Sequence, residues 1–184
     1  MMYVAFLRGI NVGGKAMVSM AELKTRFEAL GHARVKTYIN SGNVLFSSDE
    51  NDTASLAAQL EQALSQHFRL DLKVLVKSLL ELTRLTQEIP AAWTNDQLMR
   101  CDVLLLWPDV DSPDILQQLP IQPALEDVRY LPGAVVWRVD RANATKSRLT
   151  RIVGTPLYKQ LTIRNVNTVR KVLKLLTTAA ETAV

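Results

Sequence analysis

RVKTYINSGNVLFS, residues Arg34 to Ser47, is the stretch on which the fold turns. Two β-prone runs, Arg34–Ile39 and Val44–Ser47, flank Asn40-Ser41-Gly42-Asn43. Asn and Gly are the residues a tight reversal asks for, so the segment predicts a hairpin. On its N-terminal side Met20, Leu23, Phe27 and Leu30 recur at helical spacing. Ser19-Met20-Ala21-Glu22 opens that helix as a capping box and Gly31 closes it. Further back lie a strand, Tyr3–Arg8 (YVAFLR), and a loop, GINVGGKAMV. On the C-terminal side Thr53 caps a helix with Leu56, Leu60, Ala63 and Leu64 on one stripe, and Asp71–Val76 (DLKVLV) follows as a strand. The resulting order, βαββαβ, is the ferredoxin-like pattern, an antiparallel sheet carrying two helices on one face.

The rest of the chain repeats that order incompletely. Ser78-Leu79-Leu80-Glu81 is a second capping box, opening a connecting helix that Pro90 ends. Asp102–Trp107 reads as a strand and Ser112–Leu119 as a helix; Asp127–Leu131 and Ala134–Val139 form a hairpin turned at Pro132-Gly133. Helical material is expected from about Lys146 to Leu161, then a last helix over Asn167–Ala180. The expected fold is therefore α+β: two ferredoxin-like halves, βαββαβ and a partial βαββα, packed together, with basic C-terminal helices. The divisions fall at residues 1–77, 78–100 and 101–184. YVAFLR and DVLLLW are apolar on both faces, which calls for cover on both sides of each sheet.

With 184 residues, 48% hydrophobic and 22% charged, the composition is that of an ordinary globular protein. The single cysteine, Cys101, excludes a disulfide within the chain. With His32 and His67 as the sole histidines, no metal-ligand spacing can be assembled. No cofactor is called for. Cys101 opens the apolar run CDVLLLW and reads as a small buried hydrophobe. The apolar N-terminal stretch meets Arg8 too soon for a secretory signal and no run is long enough to cross a bilayer, so the expectation is a cytoplasmic protein without membrane contact. The net charge of +4 is unevenly spread: residues 129–184 hold eleven Lys/Arg against two acids, and residues 1–128 eleven against sixteen.

Four segments carry the polar groups from which chemistry could be built. Arg8-Gly9-Ile10-Asn11-Val12-Gly13-Gly14-Lys15 is a glycine-rich loop leaving a strand, where backbone N–H groups can turn toward a ligand and a lysine adds a point charge. It fits G-x-x-x-x-G-K, yet Ala16 stands where a Mg²⁺-holding hydroxyl would be and the sheet is antiparallel, which argues against a Mg²⁺-dependent P-loop nucleotidase. In the hairpin, Asn40, Ser41 and Asn43 beside Gly42 offer neutral hydrogen bonds at one sheet end; the demands of a turn also account for them. Lys146-Ser147-Arg148-Leu149-Thr150-Arg151 and Thr162-Ile163-Arg164-Asn165-Val166-Asn167-Thr168 concentrate cations, amides and hydroxyls around expected helix starts, where free N–H groups favour anions. The plainer reading is that Asn165, Asn167 and Thr168 cap a helix and the cations form a solvated face.

These four motifs, in this order along essentially the whole chain, resemble the bacterial family known as domain of unknown function 1697. Val166 stands where that family's R-N-W-N-T pattern has tryptophan, and Arg148 where it often has lysine. The resemblance implies the α+β fold read above and no settled activity.

Two classes of function fit best. The first is binding of, or action on, a small phosphate-bearing ligand such as a nucleotide, at a polar site between the first loop and the basic C-terminal segments. Arg8, Lys15, Lys146, Arg148 and Arg164 would neutralise charge; Asn11, Asn40, Ser41, Asn43, Asn165 and Asn167 would orient the ligand. No Ser/His/Asp or Cys/His grouping is legible, so any catalysis would rest on electrostatic stabilisation with positioned water. The second class is nucleic-acid binding through the basic C-terminal third, although the aromatic pattern of an RNA-recognition sheet is absent. A protein-interaction module is a third reading. The dispersion of the polar motifs over four segments favours a compact small-anion pocket.

Overall fold

The computed structural model describes residues 1–11 and 17–182. They divide into two compact units, residues 1–83 with 172–184 and residues 84–171.

In the first unit the elements are β1 (Met2–Arg8), α1 (Met20–Ala29), β2 (Ala33–Tyr38), β3 (Asn43–Ser47), α2 (Thr53–Phe68) and β4 (Lys73–Ser78). The strands form one sheet in the order β2-β3-β1-β4, with every neighbouring pair antiparallel. Alternation along β1 sends Tyr3, Ala5 and Leu7 into a core with Leu23 and Phe27 of α1 and Leu56, Leu60 and Leu64 of α2. Each such side chain taken out of water contributes roughly 1.5–3 kcal/mol. Met2, Val4 and Phe6, on the other face of β1, are buried as well.

Ser19 caps α1, its hydroxyl accepting from the Glu22 N–H at 3.4 Å. The reciprocal half of that box is not formed, because the Glu22 carboxylate meets His67 Nε2 of α2 at 2.7 Å and ties the two helices together. α2 is capped by Asp52, one residue before the expected Thr53: its carboxylate is 2.9 Å from the Ala54 N–H and suits the positive end of the helix dipole.

α3 (Leu79–Glu88) starts at a full capping box. Glu81 accepts from both the N–H and the hydroxyl of Ser78, each at 2.7 Å, and donates its own N–H to Ser78 Oγ at 3.2 Å. The second unit then holds β5 (Met99–Leu106), α4 (Ile115–Gln118), β6 (Glu126–Leu131), β7 (Ala134–Asp140), β8 (Leu161–Asn165) and the start of α5 (Val166–Glu181). Its sheet runs β6-β7-β5-β8, again antiparallel throughout. Counted from its own first strand, this is the order of the first sheet. Trp137, Leu104, Leu106, Ile115, Leu149, Ile152 and Leu161 make its core.

Three expectations are corrected here. The second sheet has a fourth strand, β8, where the sequence was read as a helix start; in Leu161–Asn165 a five-residue strand is too short to announce itself by alternation. The helical stretch expected from Lys146 to Leu161 is instead irregular chain punctuated by 3-10 turns at Leu149–Ile152 and Leu157–Gln160. Gly154, at φ 87°, and Pro156 interrupt the expected helix. The expected helix over Ser112–Leu119 likewise shrinks to the single turn of α4. The molecule is thus an α+β protein with two four-stranded antiparallel sheets and several helices.

Candidate functional site

Arg8, the last residue of β1, stands opposite Lys73 of β4 and is half-buried. From it the chain enters the glycine-rich loop through Gly9, at φ 72°. Gly13, Gly14 and Lys15 lie outside the described residues. Asn11, itself in the left-handed region at φ 55°, closes the loop. Asn11 Oδ1 accepts from the Val18 N–H at 2.7 Å, and Nδ2 donates to the Val18 carbonyl and to the Asn40 carbonyl, both at 3.0 Å. One amide therefore joins the two feet of the loop and fastens them to the hairpin turn. Asn tolerates the positive φ that this needs better than most residues.

The turn itself is Ile39-Asn40-Ser41-Gly42, one residue earlier than the sequence reading placed it, because Asn43 belongs to β3 and is fully buried. The Asn43 amide donates to the Tyr38 carbonyl at 3.0 Å and to Ser41 Oγ at 2.9 Å, filling the inside of the turn. From outside, the Leu7 N–H donates to the Gly42 carbonyl at 2.8 Å. Gly42 has φ 71°, and a Cβ there would stand 2.8 Å from both Leu7 Cβ and Ile10 Cδ1. Only glycine fits, on both conformational and steric grounds. Ile39 also has positive φ, 49°, which for a β-branched residue is a strained conformation. Its side chain is 50% exposed.

In the second unit the expected residues fall into two groups. Lys146 is exposed and Arg148 half-buried. The Ser147 hydroxyl and the Arg148 N–H donate to Glu126 Oε1 at 2.6 and 2.7 Å, while Glu126 Oε2 accepts from the Gln122 N–H at 2.6 Å. Glu126 is buried on β6, and it knots this segment to the sheet. Thr150 is exposed on the following 3-10 turn.

In the other group Arg164 sits on β8, 8% exposed, donating to Thr162 Oγ1 at 2.9 Å and to the Ile163 carbonyl at 2.8 Å. Desolvation by burial pulls its guanidinium down to about 10. It is not part of a solvated face. Asn165 caps α5, accepting the N–H of the buried Thr168 at 2.8 Å. Asn167 turns instead to Asn95, donating to its carbonyl at 2.7 Å.

Five of the eleven cations of residues 129–184 bond within the protein. Arg170 donates to the carbonyls of Trp93 and Pro90, and Arg141 to those of Asp96 and Met99. Arg138 pairs with Asp140, and Arg129 with Asp127 while its guanidinium lies 4.5 Å from the Trp93 ring centre. The side chains of the other six, Lys146, Arg148, Arg151, Lys159, Lys171 and Lys174, make no hydrogen bond or ion pair among the described residues.

Cys101 is fully buried, and burial pushes its thiol up to about 12, which leaves it without nucleophilic character at neutral pH. Among the described residues no group of three or more His, Cys, Asp or Glu side chains is placed to hold a metal ion, and no helix is long and apolar enough to cross a membrane. A cavity of about 510 Å³ opens at the other end of the first sheet, where Met2 of β1 stands opposite Ser47 of β3; Arg34, Ser48 and Asp49 also line it. It contains none of the residues selected from the sequence.

Two exposed apolar residues neighbour the clamp in sequence. Ile39 follows β2 as the first residue of the turn and is half exposed. Met17, next to the clamped Val18, is 72% exposed.

Comparison with known proteins gives no match among curated proteins. A solved structure described as that of a conserved bacterial protein, SP0830 from Streptococcus pneumoniae, is similar: 30% sequence identity and a TM-score of 0.80, covering 95% of this chain and 98% of the other. The model of a family described as protein of unknown function (DUF1697) matches residues 1–137, which include the glycine-rich loop and the Thr37–Asn43 motif. The chain belongs to that family.

Proposed function

We propose that the chain binds a small phosphate-bearing ligand of the nucleotide class at the loop end of its first sheet. The observation that carries this reading is the Asn11 clamp. A single amide satisfied by Val18 N–H, Val18 O and Asn40 O holds both feet of the loop against a rigid turn. In sequence, the residues it brackets include Val12-Gly13-Gly14-Lys15-Ala16, glycine N–H donors and one ammonium, which is the composition that receives phosphate oxygens. Arg8 adds charge at the strand end, and Ser41 and the exposed Asn40 offer hydrogen bonds. Each half is, in this reading, a ferredoxin-like unit, supported by the shared strand order and its antiparallel pairings, and the protein works in the reducing cytoplasm.

A thermal-shift and calorimetric titration with pyrophosphate and nucleoside monophosphates tests the proposal. A ligand present at about a hundred times its Kd stabilises the native state by about 2.7 kcal/mol. Lys15→Ala is expected to weaken binding roughly tenfold or more, as loss of a charge-assisted contact does. Unchanged affinity in that variant, or no binding by the wild type, would overturn it.

The second reading, nucleic-acid binding, is favoured by the unpartnered cations Lys146, Arg148, Arg151 and Lys159. It predicts oligonucleotide affinity that falls steeply with salt.

A further inference from the structure

The cavity at the other end of the first sheet belongs entirely to the first unit. Its volume, about 510 Å³, lies in the range of small-molecule sites, roughly 300–1,000 Å³. Among the residues that line it, Arg34 and Asp49 carry charge. An unusual backbone puts Arg34 there. Its φ is 54°, in the left-handed region that a residue with a long side chain rarely enters. The pairing of β2 with β3 shifts register between Ala33 and Lys36, so Arg34 lies in a bulge, a device that re-aims a side chain. The guanidinium reaches α5, where Nη1 donates to the Ala179 carbonyl at 3.2 Å, one residue from Ala180 of the cavity wall. A guanidinium has five N–H donors. This bond uses one of them, and among the described residues the Arg34 side chain makes no other hydrogen bond and no ion pair.

Asp49 stands in the turn between β3 and α2. The other two acids of that turn are spent on its structure: Glu50 Oε1 accepts the N–H groups of Asn51 and Asp52 at 2.8 and 2.9 Å, and Asp52 caps α2. The Ser48 hydroxyl accepts the Glu50 N–H at 3.2 Å. The Asp49 carboxylate makes no hydrogen bond or ion pair among the described residues, so the turn is held without it. Two opposite charges therefore line one cavity and do not pair with each other. Met2, Ala33 and Ala180 give the same lining its apolar surface.

We infer that this cavity binds a small zwitterion, an apolar α-amino acid whose carboxylate meets Arg34, whose ammonium meets Asp49 and whose side chain lies against Met2, Ala33 and Ala180. The inference is independent of the anion-binding reading above, with which it shares no residue. Arginine takes a carboxylate through parallel N–H donors, and the bond to Ala179 holds the guanidinium in place for it. A ligand with a single charge leaves either Arg34 or Asp49 unmatched, and a phosphate ester without a cation brings like charge to Asp49.

The experiment titrates L-leucine and L-phenylalanine, each beside its deaminated acid and its decarboxylated amine, into wild type, Arg34→Gln and Asp49→Asn by calorimetry, with melting temperature as a parallel readout. Wild type is expected to bind one or both amino acids, and the matching acid and amine about tenfold more weakly, as loss of one charge-assisted contact implies. Arg34→Gln should lose about tenfold in affinity for the amino acid and the acid and keep its weak affinity for the amine; Asp49→Asn should do the reverse for acid and amine. Asp49→Asn should melt with wild type, since its carboxylate supports nothing in the fold, which keeps the test valid if Arg34→Gln is destabilised by its weaker hold on Ala179. A wild type that binds neither amino acid with a Kd below about 10 mM overturns the inference. So does an acid or amine that binds as tightly as its parent amino acid, or an amino-acid affinity unchanged in Asp49→Asn.

Discussion

Each sheet begins with a strand whose end receives a hairpin glycine. In the first unit the Leu7 N–H of β1 donates to the Gly42 carbonyl at 2.8 Å; in the second the Leu106 N–H of β5 donates to the Gly133 carbonyl at 3.0 Å. Both glycines have positive φ, 71° and 87°. Beyond that shared joint the two units part. The second unit reverses through Pro132-Gly133, secured by one carboxylate: Asp111 accepts from the Gly133 N–H at 2.8 Å and from the Tyr130 hydroxyl at 2.9 Å. Its first strand runs on into a 3-10 turn at Pro108–Val110. The first unit reverses through four residues, two of them left-handed, braced by Asn43 and Asn11, and its first strand runs on into a glycine-rich loop. The second unit shows how little this joint needs in order to fold. What the first unit adds is beyond the requirement of folding, which is why the functional reading belongs there.

The largest test of that contrast is Gly42→Ala. A left-handed Ala costs about 1–2 kcal/mol, and a Cβ pressed to 2.8 Å against Leu7 and Ile10 adds a further roughly 1–3 kcal/mol of overpacking. A loss of about 3 kcal/mol by urea unfolding is expected. A loss under about 1 kcal/mol would mean the joint is looser than its geometry. Next in size come Asn11→Ala and Asp111→Ala, the braces of the two turns. Each removes the partner of buried or half-buried backbone groups, and each should cost roughly 2 kcal/mol. They should differ in function: Asn11→Ala loses binding of pyrophosphate and nucleoside monophosphates, and Asp111→Ala keeps it. In Asp111→Ala the Tyr130 phenol, raised chiefly by burial and further by its bond to Asp111, should also titrate lower by ultraviolet absorbance. Loss of binding in both variants, or in neither, would erase the distinction between the two ends.

The same contrast explains what the sequence disclosed. The hairpins, the capping boxes at Ser19 and Ser78 and the stripes of α1 and α2 are local signals, carried by residues three or four apart, and they stood in plain view. The fourth strand of the second sheet did not. β8 owes its pairing to β5, more than fifty residues earlier, and Thr162-Ile163-Arg164 has no pattern that demands it. At the site, residue types were legible and their partners were not. Asn11 and Asn43 were read as ligand-orienting amides; the structure engages them with Val18, Asn40, Tyr38 and Ser41. Arg164 was read as neutralising the charge of a ligand, and the structure buries it on a strand. The net charge of residues 129–184 pointed to a basic face; Arg129, Arg138, Arg141, Arg164 and Arg170 make internal bonds, and the other six cations do not. Charge counts carry no information about pairing.

The smallest expected effect separates the units by pH. Both histidines, His32 and His67, lie in the first unit, and the second has none. His32 packs against Phe46 and Phe27, its ring centre 4.7 and 5.9 Å from theirs, and burial lowers its pKa below the ordinary value. Below about pH 6.5 the unfolded chain therefore takes up a proton that the folded first unit resists. Stability is full above that pH and declines as the pH falls toward the folded value, since the unfolded state binds more protons over that interval. His32→Gln should flatten the decline between about pH 7 and pH 5 in urea midpoints, after allowance for a constant loss of aromatic packing. Probes confined to the second unit, such as the fluorescence of Trp137 in a Trp93→Phe, Trp107→Phe background, should show the smaller dependence if the two units unfold separately. An acid-side slope unchanged in His32→Gln would assign the sensitivity to another group and remove this difference between the halves.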